Sequence, residues 1–209
     1  MDVPAHNPDR AALARTGEQV RDRLAGDPAI YRLPTDRAEI FAVGDFLTPA
    51  ECARFIAMTD AIAKPSALHL TSYVAKFRTS YSGDFDPADP LVRQVERRID
   101  DLLGLDGAWG EHIQGQRYLP GQEFKAHNDW FYTDQDYWRI EEERGGQRSW
   151  TAMVFLNDVP AGGETHFTHV ELSVQPKAGV LLFWNNALPD GTPNLDTMHA
   201  GTPVVEGAK

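Results

Sequence analysis

The sequence has 209 residues and a net charge of −11, with 20 basic against 31 acidic side chains; 42% of the residues are hydrophobic and 24% charged. That is the length of one domain with a real core and the composition of an ordinary soluble globular chain. The longest strongly apolar run, Val180–Trp184, is far short of a membrane span, and acidic residues outnumber basic ones on both sides of Gly110, so neither a membrane nor a nucleic acid is an expected partner.

Met1–Asp9 has no apolar core and no basic flank, so no secretory signal is expected there. Asn7-Pro8 predicts an N-cap and first helical turn, and Gly26 a stop after Leu24-Ala25. Thr48-Pro49-Ala50-Glu51 reads as a capping box with proline at N1, opening a helix to about Ala63. Cys52 is the one cysteine of the chain, which excludes an intramolecular disulfide and fits a reducing compartment, with cytoplasm the expected location. Asp89-Pro90 opens a third helix, in which Leu91, Val92, Val95, Ile99, Leu102 and Leu103 recur at helical spacing. These helices read as scaffold.

From about Thr71 short β segments alternate with turn residues: Thr71–Ser80, His112–Leu119, Glu123–Phe131, Trp150–Asn157, Thr165–Ser173, Gly179–Trp184 and Thr202–Val205. Pro120-Gly121, Ala161-Gly162-Gly163 and Asp190-Gly191 separate them. The expected fold is α+β, mainly β, with a β-sandwich or jelly-roll core and a helical layer. One domain is expected, with residues 1–66 mostly helical support and 67–209 the β core, interrupted by one helix near 90–103. Tyr132–Gln147, polar and weakly patterned around Glu141-Glu142-Glu143, is expected to be a loop or lid.

His127-Asn128-Asp129 is the first candidate for chemistry. In a strand, residues i and i+2 share a face, which would set an imidazole beside a carboxylate. A later third histidine would complete a 2-His-1-carboxylate facial triad for non-haem Fe(II), leaving three positions open. His199 competes for that place with His166 and His169. The latter two, three apart in one strand, face opposite ways and cannot both reach one metal. Lys209 stands an even number of residues after His199, on the same face if the segment between them is extended.

His127-x-Asp129, His199 and Lys209 together resemble the Fe(II)/2-oxoglutarate-dependent dioxygenases, specifically their prolyl 4-hydroxylase-like branch. The likeness extends over roughly residues 40–209. It includes Arg78-Thr79-Ser80, Arg117-Tyr118-Leu119-Pro120-Gly121-Gln122-Glu123-Phe124, Gln147-Arg148, Thr151 and Phe155-Leu156-Asn157-Asp158-Val159. Gly162-Gly163-Glu164-Thr165, Pro176-Lys177-Ala178-Gly179, Leu182-Phe183-Trp184 and His199-Ala200-Gly201-Thr202-Pro203-Val204 follow in order. The resemblance implies a double-stranded β-helix (jelly-roll) core. It also implies Fe(II) held by His127, Asp129 and His199, and Lys209 paired with the C5 carboxylate of 2-oxoglutarate. Tyr118 and Thr151 would add hydroxyls to the cosubstrate pocket, and Arg148 and Trp130 would meet the substrate. The reaction would consume O2 and 2-oxoglutarate, hydroxylate a C–H bond and release succinate and CO2, with ascorbate as an expected reductant. The substrate class is a prolyl residue of a protein or peptide. A free amino acid or another small molecule is the alternative, and a non-catalytic metal-binding or interaction module the reading from a different class.

Two departures stand out. Trp130-Phe131 replaces the branch's frequent Tyr-Phe after His-x-Asp, which alters the pocket rim or else packs in the core. The family continues past the lysine with a further strand, whereas this sequence stops at Lys209; a lysine at a fraying end would hold the cosubstrate poorly.

Overall fold

The computed structural model describes residues 9–66 and 77–209. Helix α1 spans Arg10–Leu24 and buries Leu13, Gly17, Val20 and Leu24, one stripe at helical spacing. The expected cap at Asn7-Pro8 lies outside the described residues. Asp9 stands at the N-cap without capping, because its carboxylate accepts from the Gln147 backbone N–H at 2.9 Å. Helix α2, Pro49–Ile62, opens on the reciprocal Thr48–Glu51 box that its sequence predicts. Helix α3, Pro90–Leu103, is capped by Asp89, whose Oδ1 accepts from Leu91 at 2.7 Å, and ends at Gly104 in the left-handed region.

Two four-stranded antiparallel sheets carry the rest. The first is ordered β1 (Ile30–Arg32), β2 (Ile40–Val43), β11 (Leu181–Asn185), β7 (Trp150–Val154). The second is ordered β10 (Leu172–Val174), β9 (Thr165–Phe167), β12 (His199–Gly201), β6 (Phe124–His127). A three-stranded sheet pairs β4 (Tyr81–Asp84) with β3 (Lys64–Pro65) and β5 (Gln114–Arg117), and β8 (Ala161–Gly162) pairs with β13 (Val204–Glu206).

Strand β11 explains the layering. All five of its residues are buried, which is why it reads as a continuous apolar run. Leu181 and Phe183 join Val20, Leu24 and Leu103 from α1 and α3 in one cluster. Leu182 and Trp184 point to the opposite face, into a cluster with Phe155 and Phe167. Phe167 of the second sheet meets Trp184 edge to face at 5.3 Å. The first sheet is thus covered by helices on one face and by the second sheet on the other.

Several expectations change. Besides the two helices expected in the first 66 residues, β1 and β2 lie there, and β2 pairs with β11. The strand expected at Thr71–Ser80 falls partly outside the described residues, and β4 begins only at Tyr81. Thr165–Ser173 is a hairpin rather than one strand: Glu171 takes a positive φ of 52° and the chain reverses between β9 and β10. His169 therefore lies in a turn, and the opposite-faces argument does not apply to it. Thr202–Val205 shifts to β13, and β12 precedes it. The expected loop at 132–147 contains helix α4, Trp138–Arg144, anchored by buried Trp138. A short amphipathic turn with one apolar anchor leaves too little periodicity to be read from sequence.

Candidate metal centre

His127 ends β6, and His199 opens β12. The register of these strands sets the two histidines opposite each other, although the pairing shifts by a bulge before Gly201. Asp129 is not in the strand with His127. The strand ends at His127, and Asp129 sits on the following bend, so the shared-face argument gave the right neighbours by the wrong geometry. The bend brings Asp129 Oδ1 to 3.7 Å from His127 Nε2 and Oδ2 to 3.8 Å from His199 Nε2. One ligand atom from each residue lies within 4.8 Å of the others, a spacing a single ion can bridge with bonds of about 2 Å.

The tautomers are fixed by chemistry. His127 Nδ1 lies 2.8 Å from the Lys125 carbonyl oxygen and His199 Nδ1 lies 3.0 Å from that of Thr197. A carbonyl can only accept, so each Nδ1 carries the proton and each Nε2 presents a lone pair toward Asp129. The rings are held by packing as well. Phe124 stacks on His127 at 3.6 Å, and Trp184 meets His199 edge-on at 4.7 Å. Burial pushes the His127 pKa down to about 4, with the neighbouring His199 adding to the effect, so this ring is neutral near pH 7. Burial alone would raise the Asp129 pKa, but His199, His127 and Arg148 outweigh it and hold the carboxylate below its ordinary range. Two imidazole Nε2 atoms and an ionised carboxylate fit Fe(II), and the same set suits other divalent transition metals.

The expected satellite residues sort differently. Lys209 is half-buried, its Nζ 3.4 Å from Thr165 Oγ1, with the rings of Phe155 and Tyr118 at 5.4 and 5.6 Å. Among the described residues no carboxylate lies within ion-pair distance of it, and burial lowers its pKa to about 8 against the opposing charge of Glu164. A half-buried ammonium so placed, in apolar surroundings, fits an anionic guest. Its backbone does not fray: the Lys209 N–H donates to the Tyr118 carbonyl at 2.9 Å, and the Lys209 backbone oxygen accepts from the Tyr118 N–H at 2.8 Å. Tyr118 is buried and its hydroxyl donates to Gln116 Oε1 at 3.0 Å; burial raises its pKa.

Thr151 lies beside the carboxylate ligand. Its hydroxyl donates to Asp129 Oδ2 at 2.8 Å, and its one proton is thereby committed away from the cosubstrate contact expected of it. Trp130 is 7% exposed and packs with Leu13 and Ala187, so it belongs to the core under α1 rather than to a pocket rim. Arg148 pairs with Glu111 through two bonds of 2.6 and 2.8 Å, and its guanidinium lies 4.3 Å over the Phe131 ring. Its charge is felt at Asp129.

Thr165 was not singled out by sequence reasoning as a site residue. It is buried at the Lys209 end, and the only sequence signal is that it closes the Gly162-Gly163-Glu164-Thr165 turn. That turn needs glycine, because Gly162 and Gly163 take φ of +74° and +72° and a Cβ on Gly162 would collide with the Pro203 carbonyl. In the sheet, Thr165 pairs with Gly201 and Phe167 with His199. The lysine and histidine ends are therefore one same-face step apart along β9 and β12, about 7 Å.

Residues 113–209 match the 2OG-Fe(II) oxygenase superfamily. The chain is 30% identical over 210 residues to a probable prolyl 4-hydroxylase 4 of Arabidopsis thaliana, covering 88% of this chain and 68% of that one. It is 33% identical over 192 residues to the prolyl 4-hydroxylase subunit alpha-1 of Rattus norvegicus, covering 87% of this chain but only 35% of the longer subunit. Among solved structures, the viral collagen prolyl hydroxylase of Paramecium Bursaria Chlorella virus-1 in its 2OG complex superposes with a TM-score of 0.62 at 25% identity, over 81% of this chain and 91% of that one. A Trichoplax adhaerens prolyl hydroxylase shares the fold, with a TM-score of 0.59 at 12% identity over 98% of this chain and 92% of that one.

Proposed function

The chain belongs to the Fe(II)- and 2-oxoglutarate-dependent oxygenases, in their prolyl 4-hydroxylase-like branch, and from that premise we propose that it hydroxylates prolyl residues of a protein or peptide. The observation that carries the reading is the convergence of His127, Asp129 and His199 at one end of β9 and β12 and, at the other, the half-buried Lys209, which has no carboxylate within ion-pair distance among the described residues. The two facing sheets read as a jelly-roll core, in one catalytic domain.

His127, Asp129 and His199 would hold the Fe(II), whose chemistry when bound is the activation of O2 coupled to decarboxylation of 2-oxoglutarate. The chain's own residues do the rest. Lys209, with Thr165, would receive the distal carboxylate of the cosubstrate, since the span of about 7 Å between the lysine and histidine ends suits a short dicarboxylate. Tyr118 encloses that end with its ring and pins Lys209 through the backbone. Phe124, Phe167 and Trp184 wall the imidazoles with apolar surface, which excludes water and strengthens every charge interaction inside. Arg148, its guanidinium held by Glu111 and over Phe131 and its charge felt at Asp129, would take a peptide carbonyl.

A proline-containing peptide incubated with the protein should gain one oxygen atom by mass spectrometry, only when Fe(II) and 2-oxoglutarate are both present. Equal gain by free proline would shift the assignment to a small-molecule hydroxylase. Metal and 2-oxoglutarate binding with no turnover of any peptide or amino acid would leave a binding module.

A further inference from the structure

Among the described residues, each of the three metal-site side chains has one outer hydrogen-bond partner, and the partner of Asp129 differs in kind. The two histidines are anchored by backbone carbonyls two residues upstream. Asp129 sits on a bend outside the sheet, where no ladder holds it. Its anchor is the Thr151 hydroxyl on β7, 2.8 Å from Oδ2, and behind it Asn186 Nδ2 stands 2.9 Å from the same hydroxyl oxygen.

The direction of this chain is forced. An ionised carboxylate has no proton to give, so Thr151 donates to Asp129. Its oxygen then accepts, so Asn186 must present its amide N–H rather than its oxygen. Asn186 Oδ1 is buried and finds no partner among the described residues, so the side chain is held by its N–H contact alone. The backbone around it is pinned on both sides. Asn186 N–H donates to the Ser149 carbonyl at 2.8 Å, and the Asn186 carbonyl accepts from Asn194 N–H at 2.9 Å. The β7–β11 register sets Thr151 against Trp184 and Asn185 against Trp150, which places Asn186 just beyond the paired rungs.

We propose that Thr151 and Asn186 are positioning residues: Asn186 orients the Thr151 hydroxyl, which holds the Asp129 carboxylate in the rotamer that faces both imidazoles. The inference rests on His127, Asp129 and His199 being metal ligands, and it deepens that reading by naming what sets the site's affinity and geometry. The relay fixes which carboxylate oxygen keeps a hydrogen-bond partner and which is left to turn toward an ion. Charge donated along a line of oriented dipoles also steadies the carboxylate more than either contact would separately.

The test is anaerobic titration of the full chain with Fe(II), and with Co(II) as a spectroscopic probe of coordination geometry. Thr151→Val keeps the shape and removes the proton. It should raise the Fe(II) dissociation constant by about 10–100-fold and shift the Co(II) absorption bands, whereas Thr151→Ser should restore both. Asn186→Ala should weaken binding in the Thr151 protein, yet change nothing further in the Thr151→Val protein, because its effect passes through the hydroxyl. Independent, additive losses would overturn the relay, and so would a Thr151→Val protein with wild-type affinity and spectrum. Should Thr151→Val fail to fold by circular dichroism, Thr151→Ser and Asn186→Ala decide the matter by the same two readouts. Asp129→Ala separates the premises: metal binding undiminished in that variant sinks the metal-centre reading itself, whereas lost binding there with an unaffected Thr151→Val sinks only the relay.

Discussion

His127 and His199 are cross-strand partners, their ring centroids 4.3 Å apart, and the antiparallel pairing of β6 with β12 is what makes them so. Side chains directly opposite on one face of such a pair stand close enough to share a ligand. A one-residue slip would turn one of them to the other face. The register is held against slipping by Phe167 and Trp184, which pack under His199 from the other strands.

His199→Ala should therefore weaken Fe(II) by more than the roughly 10–100-fold expected for losing an outer hydrogen-bond partner. The measurement is an anaerobic metal titration, with circular dichroism to verify the fold. Affinity equal to wild type would remove His199 from the site.

Lys209 carries a pH prediction. Its pKa is lowered to about 8, so the ammonium is present below that pH and lost above it. Binding of 2-oxoglutarate should weaken as pH rises from 7 to 9.5. Lys209→Arg should remove that dependence, because a guanidinium stays charged throughout. The free protein should behave the opposite way. Between the lowered folded value and the ordinary 10.5 of the unfolded chain, the unfolded state binds more protons, so this group makes the fold more stable as pH rises. A cosubstrate dissociation constant that stays flat across that range would refute the placement of Lys209 at the carboxylate.

Trp130 separates packing from recognition. Trp130→Ala should cost about 3 kcal/mol in urea unfolding, because it opens a cavity against Leu13 and Ala187. The KM for a peptide, measured on the folded fraction, should stay as it was. A raised KM with unchanged stability would return Trp130 to the substrate rim.

Arg148 should show the converse pattern. Removing a fixed, bidentate-capable cation from beside the site should raise the peptide KM about tenfold or more, the usual worth of a hydrogen bond to a charged group. The 2-oxoglutarate dissociation constant should not move. Arg148→Lys should recover little, since an ammonium cannot hold both Glu111 oxygens and stack on Phe131.

Much of this was legible in the chain. The Thr48–Glu51 box, the Asp89 cap and the apolar stripe of α3 depend on neighbours within a few residues, and they form where local chemistry puts them. The expected strand at Gly179–Trp184 forms as β11 at Leu181–Asn185, and its burial on both faces is what the structure adds. Trp138–Arg144 did not announce its helix, because one apolar anchor in seven residues makes no period. The hairpin at 165–174 read as one strand, because its turn rests on Glu171 in a left-handed conformation rather than on a glycine or proline. Trp130 and Thr151 carried residue types compatible with either role, and only their neighbours chose between core and site.

By itself the sequence pointed to the class of chemistry through its family resemblance: His127-x-Asp129, a distant histidine and a distant lysine name the candidate residues, because residue type and order are local properties of the chain. What only the tertiary structure decided is how they meet. Asp129 reaches the imidazoles from a bend and not along a strand, Thr151 donates its hydroxyl proton to the Asp129 carboxylate, and Lys209 is tied to Tyr118 rather than left loose. Each of these is a contact between segments far apart in the chain. Their geometry depends on strand register and on which hydrogen bonds remain open once the core has packed, quantities no local pattern encodes.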